Sequence, residues 1–214
     1  MRLTVENLSG RRGEELIFND ISFALTSGQS LVLTGRNGSG KSTLLRAIAG
    51  FLRPESGRVF WTAKDAEPGM RAAEACHYLG HRNAMKAELS VHENLSFWKD
   101  FLGDTAGGKG LSVGEAADAV GLGDITHLPF GYLSAGQQRR MAFAKLLVVW
   151  RPVWILDEPT AALDVSAESV FTGLIKDHLA NGGIVLAATH QPLGLVNAQE
   201  LRMTGFARVL EEMW

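Results

Sequence analysis

Eight residues constrain this chain more than any others: Gly35-Arg36-Asn37-Gly38-Ser39-Gly40-Lys41-Ser42. They follow the apolar run Leu31-Val32-Leu33 and lead into Thr43-Leu44-Leu45-Arg46-Ala47-Ile48-Ala49, which predicts a buried strand, a glycine loop and a helix in that order. Glycines at 35, 38 and 40 allow positive φ, so backbone N–H groups can turn inward and hold a phosphate against the helix N-terminus. In this spacing Lys41 reaches the β- and γ-phosphates of a nucleotide and Ser42 holds Mg2+. Arg36, Asn37, Ser39 and Thr43 complete the expected nucleotide-binding stretch. The pattern implies a nucleoside triphosphate without saying which reaction follows.

At 214 residues the chain suits a single domain, 1–214, carrying a sizeable inserted subdomain. A formal net charge of −2 with mixed signs gives no general electrostatic reason to bind nucleic acid. Cys76 is the only cysteine, so no internal disulfide forms, and a buried structural thiol is the simpler expectation. Met1 to Glu6 lacks the apolar core and cleavage site of a signal peptide; Met141 to Trp150, the most apolar segment, is short and broken by Lys145. Work at a membrane would need a membrane-embedded partner.

Along the chain, alternation in Leu3–Glu6 and Ile21–Leu25 predicts early strands around a polar hairpin from Ser9 to Glu15. Gly50 is a plausible helix stop, Pro54-Glu55-Ser56-Gly57 a turn, Arg58–Trp61 a strand and Pro68-Gly69 a loop. From about 84 to 150 the character turns helical: Glu93–Phe101 and Val113–Val120 flank a glycine-rich stretch from Gly103 to Gly110, and Gln137–Trp150 reads as an amphipathic helix. Val153-Trp154-Ile155-Leu156 is a buried-strand run ending in acids, Ser166–Leu179 a helix, and Ile184–Ala188 a strand ending at Thr189-His190. Strand, helix, strand in this order implies a parallel sheet that gathers polar residues at one edge.

The second half of the chain decides the chemistry. Leu133-Ser134-Ala135-Gly136-Gln137-Gln138 precedes Val153-Trp154-Ile155-Leu156-Asp157-Glu158-Pro159-Thr160, then Ala162-Leu163-Asp164, then His190. Asp157, closing a hydrophobic strand, suits a hard cation held through water, and Glu158 suits orientation or deprotonation of an attacking water. In order and spacing the set resembles the ATP-binding-cassette (ABC) ATPases over nearly the whole chain. The resemblance implies a P-loop α/β fold of ABC ATPase type with a mostly parallel core sheet, an N-terminal antiparallel β subdomain and the helical insertion. It further implies ATP and Mg2+ as cofactors, and His190 in contact with the γ-phosphate. Ser134, Gly136 and Gln137 would form a signature that closes over the ATP of a second copy in a head-to-tail dimer, with Asp164 at the seam. Asp164 can also serve as an N-cap for the helix from Val165.

Three positions depart from that family's pattern. Arg12, before Gly13, stands where an aromatic ring often stacks on adenine; a guanidinium plane can stack too, or be solvated. His81, in Tyr78-Leu79-Gly80-His81-Arg82-Asn83, stands where a glutamine senses Mg2+ and the membrane partner, and imidazole can accept from a metal-bound water. Ala135 replaces a glycine, which predicts a weakened rather than abolished signature contact.

Tyr78–Asn83 with Lys86, then Leu89-Ser90-Val91-His92-Glu93-Asn94-Leu95-Ser96-Phe97-Trp98, together with Ser-Ala-Gly-Gln-Gln-Arg-Arg from 134 to 140, resembles the ATP-binding subunits of cytochrome c biogenesis, the CcmA family. This implies an ATPase peripheral to the cytoplasmic face of an inner membrane, or a mitochondrial equivalent. It would dock on polytopic CcmB-like, CcmC-like and CcmD-like subunits and energise haem export or release of a haem-loaded chaperone. The ATPase subunit of another small-molecule exporter is the alternative, and a cassette ATPase without a transport role a further one. The six scattered histidines, with no Cys-x-x-Cys-His, call for no haem contact by this chain. Phe97, Trp98 and Phe101 share one helical stretch: a local core for the insertion is the simpler expectation, a docking groove for a membrane loop the other.

Overall fold

The computed structural model describes residues 1–63, 71–103, 110–160, 163, 165–191, 193–195 and 197–205. The predicted loop at Pro68-Gly69, most of the glycine-rich stretch, and Asp164 lie outside the described residues.

Five parallel strands form the central sheet: β3 (Ser30–Thr34), β5 (Cys76–Leu79), β6 (Val153–Asp157), β7 (Ile184–Ala188) and β8 (Gln199–Arg202), in spatial order β5-β6-β7-β3-β8. Their residues alternate strictly between two cores. Val153 and Ile155 of β6 join Ile184, Leu186 and Ala188 of β7 on one face; Trp154 and Leu156 join Val185 and Ala187 on the other. Helices or a second sheet must cover both faces, which is why these strands read as continuous apolar runs.

One face is covered by α1 (Lys41–Ile48) and an antiparallel sheet of β1 (Arg2–Arg12), β2 (Glu15–Thr26) and β4 (Ser56–Thr62), in order β2-β1-β4. The expected hairpin from Ser9 to Glu15 is mostly strand: pairing continues to Arg12 opposite Glu15. Register shifts between Val5 and Gly10 explain why simple alternation stops early, because each irregularity turns the following side chains to the other face.

The other face carries α2 (Val91–Leu102), α3 (Val113–Ala119), α4 (Ala135–Val148) and α5 (Val165–Ala180). Helices α2, α3 and α4 each begin with a reciprocal capping box, Ser90 with Glu93, Ser112 with Glu115 and Ser134 with Gln137. Helix α4 is not the amphipathic surface helix its sequence suggests. Arg139, Met141, Ala142, Phe143, Ala144, Lys145, Leu146 and Val148 are all buried, because α2, α3, α5 and the sheet surround it. Phe143 stacks on Phe171 of α5 with ring centroids 4.0 Å apart, fixing α4 against the core.

The expected aromatic core of α2 is also corrected. Phe97 and Phe101 are 45% and 69% exposed, and α2 buries Val91, Asn94 and Leu95 instead. Phe97 stacks on Phe101 at the surface, Trp98 meets both rings edge to face, and Trp98 donates to the Ala84 carbonyl at 2.9 Å. No helix among the described residues is long and apolar enough to cross a membrane. The Cys76 thiol, pushed up to about 12 by burial, donates to the Ala72 carbonyl, which suits a structural thiol.

Two histidines are built into the core as neutral bases. His77 of β5 is buried with Nε2 2.8 Å from the Val149 carbonyl, and His178 of α5 stacks on Trp154 at 4.1 Å. Burial pulls the first down to about 3 and the second to about 4. An unfolded histidine protonates near 6.5, so unfolding takes up protons below that pH and stability falls as pH drops from about 6.5 towards 4. His77→Gln, which keeps a donor for Val149, should make thermal stability less steep in pH across that window by close to one proton; an unchanged slope would show that His77 does not titrate on unfolding.

Candidate functional site

All strands of the central sheet run the same way, so their C-terminal ends meet along one edge, and each delivers a different chemical group. Strand β3 delivers the glycine loop, β6 delivers Asp157 and Glu158, β7 leads to His190, and β5 leads to His81. They converge on a cleft of about 970 Å³ whose walls include Arg12, Asn37, Lys41, His81, Glu158 and His190.

The glycine loop is held by close backbone approach. A Cβ at Gly35, where φ is 132°, would strike the Met203 carbonyl, and one at Gly40, where φ is 97°, would strike Ile17. Unlike α2, α3 and α4, helix α1 starts on Gly40 with no side chain capping its first N–H groups. Those donors, with the positive end of the helix dipole, suit a phosphate. The Lys41 ammonium donates to the carbonyls of Gly35 at 2.8 Å and Arg36 at 3.2 Å, and lies 3.5 Å from His190 Nε2. The Ser39 hydroxyl is buried in the loop without a partner. Ser42, Thr43 and Gly38 line the cleft, while Arg36 is exposed on the loop.

Asp157 is fully buried, and each carboxylate oxygen accepts one hydroxyl hydrogen bond. Ser42 Oγ donates to Oδ1 at 2.8 Å and Tyr78 donates to Oδ2 at 2.9 Å. Among the described residues no group of three or more His, Cys, Asp or Glu could hold a metal by itself. Two adjacent oxygens, Ser42 Oγ and Asp157 Oδ1, fit a hard cation that takes its remaining ligands from phosphate and water. His81 is exposed on the same cleft wall and makes no hydrogen bond to Ser42 or Asp157. Instead Tyr78, three residues earlier, reaches the carboxylate; burial pushes its phenol up to about 12, so it stays a donor.

Glu158 has φ of 48°, a left-handed conformation that costs a non-glycine residue on the order of 1–3 kcal/mol. Its N–H donates to the Ala188 carbonyl at 2.8 Å, extending the β6–β7 ladder by one residue. The resulting turn brings its carboxylate to 3.4 Å from His190 Nε2, which also lies 2.8 Å from Asn37 Oδ1. Glu158, Asn37 and Lys41 therefore all approach His190 Nε2 at the cleft wall. A terminal phosphate there would have a cation and an imidazole beside it, with a carboxylate placed for water.

Arg12, Gly13 and Ile17 line the same cleft, with Ile17 against Gly40. Ser134, Gly136 and Gln137 do not face it. Ser134 accepts from the Gln137 N–H at 3.3 Å and Gln137 accepts from the Ser134 N–H at 2.9 Å, so these groups cap α4 on another face.

Residues 18–161 match the family model described as ABC transporter. The cytochrome c biogenesis ATP-binding export protein CcmA of Agrobacterium fabrum is 69% identical over 214 residues, spanning the whole of both chains. That of Rhizobium etli is 67% identical over the same span. Among solved structures, an ABC transporter ATP-binding protein from Pyrococcus furiosus superposes with a TM-score of 0.78, covering 95% of this chain and 98% of that one at 22% identity. A dimeric post-hydrolysis cassette, MJ0796 bound to ADP and Pi, superposes at 0.73 over 88% of each chain at 23% identity. These distant structures establish the ABC ATPase fold.

Tyr78→Phe keeps the ring against Phe51, whose centroid is 5.3 Å away, and removes the hydroxyl that donates to Asp157 and accepts from Arg46 Nε at 3.5 Å. Losing a hydrogen bond to a buried charge costs about 1.5–3 kcal/mol, so urea unfolding should show a loss of that size. A change under about 0.5 kcal/mol would mean that Asp157 does not depend on the phenol.

Proposed function

This chain belongs to the cytochrome c biogenesis ATP-binding export proteins of the ABC transporter family, and on that premise we propose how its residues perform the work of an ATPase subunit in that system. ATP lies in the 970 Å³ cleft with its phosphates on residues 35–43 and its base beside Arg12. Lys41 leaves the Gly35 and Arg36 carbonyls to pair with the β- and γ-phosphates. Ser42 and Asp157 would hold Mg2+, whose charge would offset that of the phosphates. His81, which lines the same cleft, would accept from water on that ion. Glu158 orients or deprotonates the attacking water, and His190 holds the γ-phosphate. The observation that carries this reading is the meeting of Glu158, Asn37 and Lys41 at His190 Nε2.

Ser134, Gly136 and Gln137 lie away from that point, which favours a second copy as the one they serve. Two chains pack head to tail, each signature closing over the other's ATP, with Asp164 at the seam. Closure moves the membrane subunits and hydrolysis reopens the pair. The region of about 84–150 acts as a helical subdomain within one domain, 1–214. Its exposed Phe97 and Phe101 adjoin a second cleft of about 500 Å³ lined by Tyr78, His81, Trp98 and Lys145, which suits docking of a CcmB-like membrane subunit, with CcmC-like and CcmD-like subunits beside it. The chain thereby sits peripherally on the cytoplasmic face of the inner membrane, supplying energy for haem export or chaperone release rather than binding haem.

Glu158→Gln should lower ATP turnover of the purified chain by about 10²-fold or more, and haem staining of cells carrying it should show no mature c-type cytochromes while the protein remains at the membrane. Normal c-type cytochromes in a cell with no second copy of the gene would contradict a role in their maturation.

A further inference from the structure

Arg139, in the second turn of α4, is a buried cation only 6% exposed, and its fork reaches four acceptors on two separate segments. Nε donates to the Pro159 carbonyl at 3.1 Å and Nη2 to the Glu158 carbonyl at 3.1 Å. Nη1 donates to the Gly80 carbonyl at 2.7 Å and to Asn83 Oδ1 at 3.3 Å. The first pair lies on the backbone of the strained turn after β6, and the second flanks His81 and Arg82 on both sides. A desolvated charge spent on backbone oxygens is costly to keep, so what it holds in place is informative.

We propose that Arg139 is a positioning residue for ATP hydrolysis, fixing the carboxylate of Glu158 through its backbone; the inference rests on the reading of Glu158 as the group that activates water. Glu158 sits in the left-handed region, where an unconstrained glutamate would not stay. Two bonds pin the peptide groups on either side of its Cα: the N–H on Ala188, and the C=O on Arg139. With both peptide planes fixed, the Cα–Cβ direction is fixed, and it leads to the 3.4 Å approach to His190. Arg139 is itself anchored, since Phe143 lies one turn along α4 beneath the guanidinium and stacks on Phe171. The same fork holds the His81 segment, so a shift of α4 moves the segment carrying His81 and the turn carrying Glu158 together.

The test compares Arg139→Met and Arg139→Lys, alone and combined with Glu158→Gln, by steady-state ATP turnover of the full-length chain. Arg139→Met should lower kcat at least tenfold with KM for ATP within twofold, since the phosphate-binding loop is untouched. Arg139→Lys should fall between, because one ammonium cannot reach both segments. In the Glu158→Gln background Arg139→Met should lower kcat no further than twofold, because the group it positions is already gone. If Arg139→Met does not fold, Arg139→Lys with and without Glu158→Gln gives the same two readouts. A kcat within twofold of the unmodified chain, a loss appearing in KM, or a full multiplicative loss in the double variant would overturn the proposal. Loss of turnover in Glu158→Gln alongside an active Arg139→Met overturns the positioning role and leaves Glu158 as base; an active Glu158→Gln overturns both.

Discussion

A buried carboxylate organises this molecule. Asp157 has no exposure to water, and Ser42 and Tyr78 each donate a hydroxyl to one of its carboxylate oxygens. Those two bonds tie the first turn of α1 and the end of β5 to the end of β6, three elements far apart in sequence. The glycine loop can then open towards Glu158 and His190, because the strands that carry them already lie in parallel register: Leu33 pairs with Ala188, and so does Asp157. The cleft is a consequence of strand direction plus these two hydrogen bonds.

Groups at the ends of strongly apolar strands were legible in the sequence. The glycine loop, Asp157, Glu158 and His190 each follow an uninterrupted run that can only be an interior strand, so their arrival at one sheet edge follows from parallel topology. Tyr78 and Arg139 were not legible as site residues. Tyr78 belongs to the four-residue β5, and its link to Asp157 spans 79 positions. Arg139 stands beside Arg140, and only the helix phase separates them: Arg139 shares a face with Ala142, Phe143 and Leu146, all buried, whereas Arg140 reaches out to the Val120 carbonyl. That spacing was the available signal for the buried arginine. Strand β8 escaped notice because, at the sheet edge, three of its four residues are exposed and polar.

Helix α4 shows how tertiary context changes a pattern's meaning. Its polar residues suggested a solvent face, yet Arg139 and Lys145 are enclosed, Lys145 lying 4.7 Å over the Trp98 ring with its ammonium drawn down to about 8 by burial. The exposed Phe97 and Phe101 are the complement: apolar groups left outside because α2 turns its other face to the core. Helix α4 thus begins at the Ser134–Gln137 capping box, carries the arginine fork and, in its last turn, places Lys145 against the surface aromatic cluster.

In the arrangement proposed above, each chain holds only part of its catalytic site and a second copy completes it. The most direct measurement is the mass of the full-length Glu158→Gln chain in solution, with and without ATP and Mg2+, for the single variant and for one also carrying Ser134→Arg. Twice the monomer mass is expected only when nucleotide is present, and a monomer that still binds ATP when Ser134 is replaced. A chain that stays monomeric with ATP bound, while unmodified protein hydrolyses ATP at a rate per molecule independent of its concentration, would contradict it.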